Sequence, residues 1–418
     1  MELAENKQPA VKSLLKFKSF CILMIASAIS KFGDSLDTIA YSIMVYQITG
    51  SKLMLGTLMA VNAIPTIVLT PFTGVLADRF PKKRLILIGY VGRGILVTLT
   101  AFLFLTGVLV PWQLYVLTIC NASFQALSSP AMSSIIPILI SKEALMEGTS
   151  YATSVGSIAQ FIGSASAGVI IGLCGVFTAV FVDGMTFFIA AAMVIFIKVS
   201  GEELLKSSGG VKEYLKDIKE GIKYVVKSYV IIRMIAAFAI VNFCLSPINV
   251  LETPFVYEKL KAGSEILSLL SVTLTLGMII GGVVAANIGK KFKFIHIVAG
   301  GLIVFGVFFT LLFMPGNIIS SRIVSIGFTV MIYFVIGLCI PIMTSPLGVI
   351  VVNSTPKNMF GRVNSVLNMV SMSTVPLGAA VTGVMSEYIS MSVLFIIFGV
   401  IMLLSSVLLL VDKRLADI

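Results

Sequence analysis

Long apolar runs, broken by short clusters of Gly, Pro and charge, recur along the whole chain. Twelve of them lie at 17–46, 54–76, 85–105, 112–138, 151–173, 176–197, 231–255, 267–288, 294–313, 323–349, 363–385 and 392–410. A helix crossing the hydrocarbon core of a bilayer needs roughly 20 such residues. The pattern therefore predicts an all-α integral membrane protein of about twelve transmembrane helices. Two polar stretches stand apart from these spans. Residues 1–16 form a tail. The segment 199–229 carries Lys212, Lys216, Lys219, Lys223 and Lys227 at helical spacing, with Leu215, Ile218, Ile222 and Val226 on another face. That segment reads as an amphipathic helix lying on the membrane surface.

The chain repeats itself. The run Gly74-Val-Leu-Ala-Asp78-Arg-Phe-Pro81-Lys-Lys83 after the second span is echoed by Gly282-Val-Val-Ala-Ala286-Asn-Ile-Gly289-Lys-Lys291 after the eighth. Gly163 and Gly168 of the fifth span are echoed by Gly378 and Gly383 of the eleventh. Two echoes, each six spans apart, indicate a duplicated six-helix unit, and an even number of spans per unit keeps both copies in one orientation. The expected organisation is a tail at 1–16, a six-helix bundle at 17–198, a linker at 199–229, a second six-helix bundle at 230–411 and a tail at 412–418.

Composition agrees with a lipid solvent. The chain is 58% hydrophobic and 12% charged, too little charge to cover a soluble domain of this length. The net charge of +11 does not mark a nucleic-acid surface, because it is divided among short loops. Of the 30 Lys and Arg, 23 fall in the tails and the loops on their side. Only Lys52, Lys259, Lys261 and Arg322 fall on the other, and Lys31, Arg93 and Arg233 lie in spans. The positive-inside rule then puts both termini in the cytoplasm of a multi-pass cell membrane protein. The five cysteines are scattered singly, and no metal motif, phosphate-binding loop or other cofactor signature is present. Neither an enzyme nor a cofactor is expected.

The loop Gly74-x-Leu76-Ala-Asp78-Arg79-x-x-Lys82-Lys83-Arg84 resembles the signature between helices 2 and 3 of the major facilitator superfamily. Phe32-Gly33-Asp34-Ser-Leu36, Tyr46-Gln-Ile-Thr49-Gly50-Ser51 and Gly361-Arg362-Val363 resemble its drug:proton antiporter branch, typified by macrolide efflux proteins, with siderophore exporters and lysophospholipid transporters as relatives. The resemblance implies a bacterial inner-membrane transporter, working as a monomer by alternating access, that exports an amphipathic organic compound in exchange for protons. Two departures stand out. Gly163-Ser164 occupies the place of the Gly-Pro pair of similar antiporters, and Ala286 stands where the first loop has Asp78. A lipid transporter without proton coupling, and a membrane receptor or assembly factor that has kept the fold, are the alternatives.

Charge inside a span is costly and faces a cavity or another helix. Lys31, Asp34 and Asp37, with Thr38 and Tyr41, form a polar stripe on the first span. Asp34 or Asp37 is then a candidate proton carrier, since a carboxylate away from bulk water can exchange a proton for a nearby cation. The bland alternative is a Lys31–Asp34 pair that orients the helix. Arg93 can neutralise the first span or form a buried ion pair with Asp183 of the sixth. Lys31, Tyr41, Asn121, Gln125, Gln160, Asn242, Asn249 and Glu252 are candidates for the substrate cavity, the last two near prolines 247 and 254. Gly74, Asp78, Arg79 and Arg362 are candidates for gating. Gly168-x3-Gly172 and Gly277-x3-Gly281 permit close helix approach, and in similar transporters spans 5 and 8 meet between the halves.

Overall fold

The computed structural model describes residues 16–141, 144–199, 211–289, 292–356 and 359–412. Among them there is no β-strand; the chain is a succession of helices. They are α1 (Lys18–Thr49), α2 (Lys52–Arg79), α3 (Lys82–Leu105), α4 (Pro111–Leu139), α5 (Leu145–Ile195), α6 (Val211–Lys227), α7 (Tyr229–Pro254), α8 (Ser264–Ile288), α9 (Phe294–Leu311), α10 (Arg322–Asn353), α11 (Phe360–Tyr388) and α12 (Met391–Val411). A π-helical turn, Phe255–Lys259, continues α7.

Local chemistry sets the boundaries. Gly50 ends α1 in the left-handed region (φ 61°) and donates back to the Tyr46 carbonyl at 2.8 Å. Ser51 Oγ then accepts the Met54 amide at 3.2 Å and starts α2. Pro111 opens α4, where Gln113 Oε1 accepts the Val110 amide at 3.0 Å. α5 has 51 residues, about 76 Å of helix at 1.5 Å per residue, more than twice a bilayer core. It breaks at Gly175, whose φ of 81° and ψ of 168° suit a residue without a side chain. α5 is therefore two crossings joined by one glycine. Among the described residues nine helices, α5 included, are long and apolar enough to cross a membrane. With α5 counted twice, α4 and the shorter apolar α9 bring the crossings to twelve.

Internal packing divides the chain into two compact units, residues 1–41 with 64–211, and residues 42–63 with 212–418. In the first, α3 lies against α5 through Phe102, Phe177 and Phe181, whose rings sit 5.7–5.8 Å apart. The fifth crossing closes on α1 at Gly163, where a Cβ would collide with the Phe32 carbonyl and reach the Ser35 Cβ at 3.0 Å. In the second unit, α11 closes on α7 at Gly378 in the same manner, against the Phe243 carbonyl at 2.8 Å and the Ser246 side chain. The Phe-x-x-Ser seat thus occurs once in each unit, under the two glycines that echo each other in sequence.

Gly277 and Gly281 of α8 do not await a partner from the other half. A Cβ on either would run into the α10 backbone, at the carbonyls of Phe334 and Leu338, so this small-residue stripe belongs to the α8–α10 contact inside the second unit. α6 is docked on the second unit rather than lying loose. Gly221 lets it approach the Arg362 carbonyl to 2.6 Å from where a Cβ would stand, Glu220 Oε2 pairs with Arg362 Nη1 at 2.7 Å, and Val225 is buried. Lys216, Lys219, Lys223 and Lys227 remain exposed.

Candidate substrate and proton pathway

In the first unit the polar stripe of α1 meets a cation from α3. Arg93 Nη2 donates to Asp34 Oδ1 at 2.6 Å, and its Nε donates to Asn121 Oδ1 of α4 at 3.2 Å. Its guanidinium carbon sits 4.1 Å from the centre of the Phe187 ring, a stacking arrangement that suits arginine. The ion partner of Arg93 is therefore Asp34. The pairing with Asp183 expected from sequence is corrected: Asp183 accepts from Thr186 Oγ1 at 3.3 Å and acts on Arg93 through its charge, without a direct ion pair among the described residues. Asp183 is instead held against Gly33 of α1, where it accepts from Thr186 of its own helix, and Asp34 takes the guanidinium.

Asp37 lies one turn beyond Asp34 and within electrostatic reach of Asp34, Arg93 and Asp183. Its Oδ1 is buried and has no hydrogen-bond partner among the described residues. Three carboxylates thus gather around one guanidinium, a formal surplus of two negative charges. Lys31 does not relieve it. Its amine packs against Gly156 of the fifth crossing, and it has no ion partner among the described residues, so a Lys31–Asp34 pair is not formed. Tyr41, farther along the stripe, is closed by a 2.6 Å hydrogen bond to Thr118 Oγ1 of α4. Gln125 and Gln160 are exposed on their helices and join no part of this cluster.

In the second unit Asn242 donates to the Phe238 carbonyl of its own helix at 2.9 Å, and Asn249 is exposed. Glu252 is half-buried, makes no hydrogen bond or ion pair among the described residues, and stands within electrostatic reach of the buried Tyr333 of α10. Of the gating candidates, Gly74 has open space where a side chain would be, Arg79 is exposed, and Arg362 is engaged by Glu220. The side chain of Asp78 lies outside the described residues. Lys83 caps the end of α5, donating to the Ile195 and Ile197 carbonyls at 2.7 and 2.8 Å.

Sequence reasoning missed one cluster. Glu258, in the π-helical turn, accepts from Tyr46 Oη at 2.5 Å and from Lys52 Nζ at 3.0 Å. Ser42 and Thr253 share a hydrogen bond of 2.9 Å nearby, and the Tyr46 and Tyr257 rings lie 6.3 Å apart. The available signal was the scarcity of charge on this side of the chain, which leaves Lys52 few acidic partners. Among the described residues no group of His, Cys, Asp and Glu has the geometry to hold a metal ion.

Residues 12–417 match the family described as transmembrane secretion effector. The chain belongs to that family of major facilitator transporters. Similar curated proteins include the uncharacterised transporter YfiS of Bacillus subtilis, 23% identical over 96% of this chain and 94% of its own length. Macrolide efflux protein A of Streptococcus pyogenes is 20% identical over 92% of this chain and 93% of its length. Among solved structures, the nucleoside transporter NupG superposes with a TM-score of 0.78 at 11% identity, covering 96% of this chain and 99% of the other. A bacterial homologue of the lysosomal transporter Spinster, in an inward-facing and unoccupied conformation, gives 0.73 at 12% identity, covering 98% and 97%. At such identities these structures establish the fold, which is the major facilitator fold. As a transmembrane secretion effector the chain is a multi-pass membrane transporter of a small molecule.

Proposed function

We propose that this transporter exports an amphipathic organic compound in exchange for protons, with both termini cytoplasmic, working as a monomer by alternating access. Asp37 is the proton carrier in this reading, and the Arg93–Asp34 pair is the fixed charge beside it. The observation that carries it is the buried oxygen of Asp37, unpartnered among the described residues, in a cluster of three carboxylates around one guanidinium. Side chains three residues apart on a helix have Cβ atoms about 5–6 Å apart. Two carboxylates at that separation repel by about 3 kcal/mol in an effective dielectric near 20. A proton on one of them removes that cost, and so does a cation. The cluster therefore favours holding one proton, which it can give up when the pathway opens to the other side of the membrane. The substrate class is supported by the macrolide efflux relatives at about 20% identity and by the apolar character of the crossings.

The test uses everted membrane vesicles with an acidic interior, followed by a pH-sensitive dye as amphipathic compounds, a macrolide included, are added. Compound-dependent proton release should occur in the wild type and disappear in Asp37→Asn. Proton release that persists in Asp37→Asn removes Asp37 from the path. Absence of any release across the panel removes the antiport reading and turns attention to lipid translocation.

A further inference from the structure

The repeated seat of Gly163 and Gly378 puts α1 and α7 in a common register. Nine residues beyond Phe32 is Tyr41, and nine beyond Phe243 is Glu252. The two side chains thus occupy equivalent places in their units, one facing α4 and the other α10. In the first unit the place is closed by a neutral pair, Tyr41 with Thr118 at 2.6 Å. In the second it holds a carboxylate with no hydrogen bond or ion pair among the described residues. Glu258, six residues on in the π-helical turn, is already engaged by Lys52 at 3.0 Å.

An uncompensated carboxylate at membrane depth costs several kcal/mol, and the Tyr41–Thr118 pair shows that the position can be filled without one. Its surroundings narrow what compensates it. Ile248 and Phe255, about one turn to either side on the same face of α7, are buried, and Tyr333, 2% exposed, stands within electrostatic reach. Hard metal cations take six or more oxygen ligands, which one carboxylate and one phenol do not supply. A single negative charge beside an aromatic ring in an apolar wall suits an organic monocation. We propose that Glu252 and Tyr333 bind the protonated amine, or an equivalent monocationic group, of the transported compound. This rests on the transport reading above and assigns the cation a place in the second unit, apart from the proton on Asp37.

The purified full chain is titrated calorimetrically with tetraphenylphosphonium and, in parallel, with triphenylphosphine oxide, a neutral molecule of related shape. The wild type should bind the cation. Glu252→Gln should weaken that binding at least tenfold, Glu252→Asp should retain most of it, and Tyr333→Phe, which keeps the ring, should lose less than Glu252→Gln. The neutral compound should not distinguish any of these variants. Thermal unfolding confirms that each variant is folded. The site is overturned if the wild type does not bind the cation, if Glu252→Gln binds it equally well, or if the neutral compound is lost in parallel. Because binding is read in detergent without a gradient, a failure of the proton-release assay sinks antiport and leaves this result standing. Conversely, compound-driven proton release by a wild type that ignores the cation sinks the site alone.

Discussion

Arg93 Nη2 donates to Asp34 Oδ1 at 2.6 Å, while Asp37, one turn along the same helix, keeps a buried oxygen without a partner among the described residues. The two aspartates of the stripe are therefore unequal, one committed and the other available. Asp34→Asn removes the direct ion partner of Arg93, whose side chain is 9% exposed, while Asp37 and Asp183 stay within electrostatic reach, and should lower stability by about 1.5–3 kcal/mol, the worth of a hydrogen bond to a charged group. Replacing both, as Asp34→Asn with Arg93→Met, should recover part of that loss. Thermal unfolding in detergent across the four-member cycle checks this; additive losses would show that the pair is not coupled.

Asp37→Asn should have the opposite profile. Its stability should match or exceed the wild type, because it removes one of three clustered carboxylates. Flux driven by a pH gradient should stop, while counterflow of compound across proteoliposomes without a gradient should continue. Loss of counterflow along with driven flux would instead place Asp37 in substrate binding.

The Tyr46–Glu258–Lys52 cluster is partly exposed, at 22% for the Lys52 side chain and 39% for Glu258. A double-mutant cycle of Lys52→Met with Glu258→Gln should therefore give a coupling of about 0.5–1 kcal/mol. Raising the salt concentration from 0.1 to 1 M shortens the Debye length from about 10 to about 3 Å and should remove most of the Lys52 contribution. The Tyr46 contribution, measured with Tyr46→Phe, should persist, since it is a hydrogen bond. A salt-independent cycle would mean that the cluster is better shielded than its exposure indicates.

Gly163→Leu and Gly378→Leu should each cost about 2 kcal/mol, because the new side chain must displace a neighbouring backbone carbonyl. Gly74→Ala should cost no packing, since no atom stands within 4 Å of the added carbon. If Gly74 nevertheless serves gating through a close approach in another state, Gly74→Ala will unfold at the wild-type temperature and transport more slowly. Wild-type flux in that variant removes Gly74 from the gating set.

Spacing made the spans, the duplication and the polar stripe of α1 legible, because a helix converts sequence distance into depth and face. The echo between Gly163 and Gly378 was readable as a repeat before its packing role was known. What spacing does not specify is the neighbour. Arg93 has Asp34 and Asp183 within reach, and spacing alone does not say which of them takes its guanidinium. Gly277 and Gly281 were readable as a contact stripe, and the helix that fills it, α10, emerges only from the three-dimensional arrangement. Glu258 lies beyond the apolar run that ends at residue 255, and the π-helical turn that carries the helix on to Lys259 has no signature in that pattern.

The single-residue turn at Gly175 has a practical side. The crossings on either side of it are joined without a loop, and the connections at Gly50–Ser51 and Ile389–Ser390 are hardly longer. A protease, antibody or inserted tag finds almost no free polypeptide there. Cys174, next to that turn, is the exposed one among the described cysteines. A thiol-reactive dye would therefore report from a place where conventional epitopes cannot be built, once the half-buried Cys21 and Cys120 are replaced; Cys244 and Cys339 are buried.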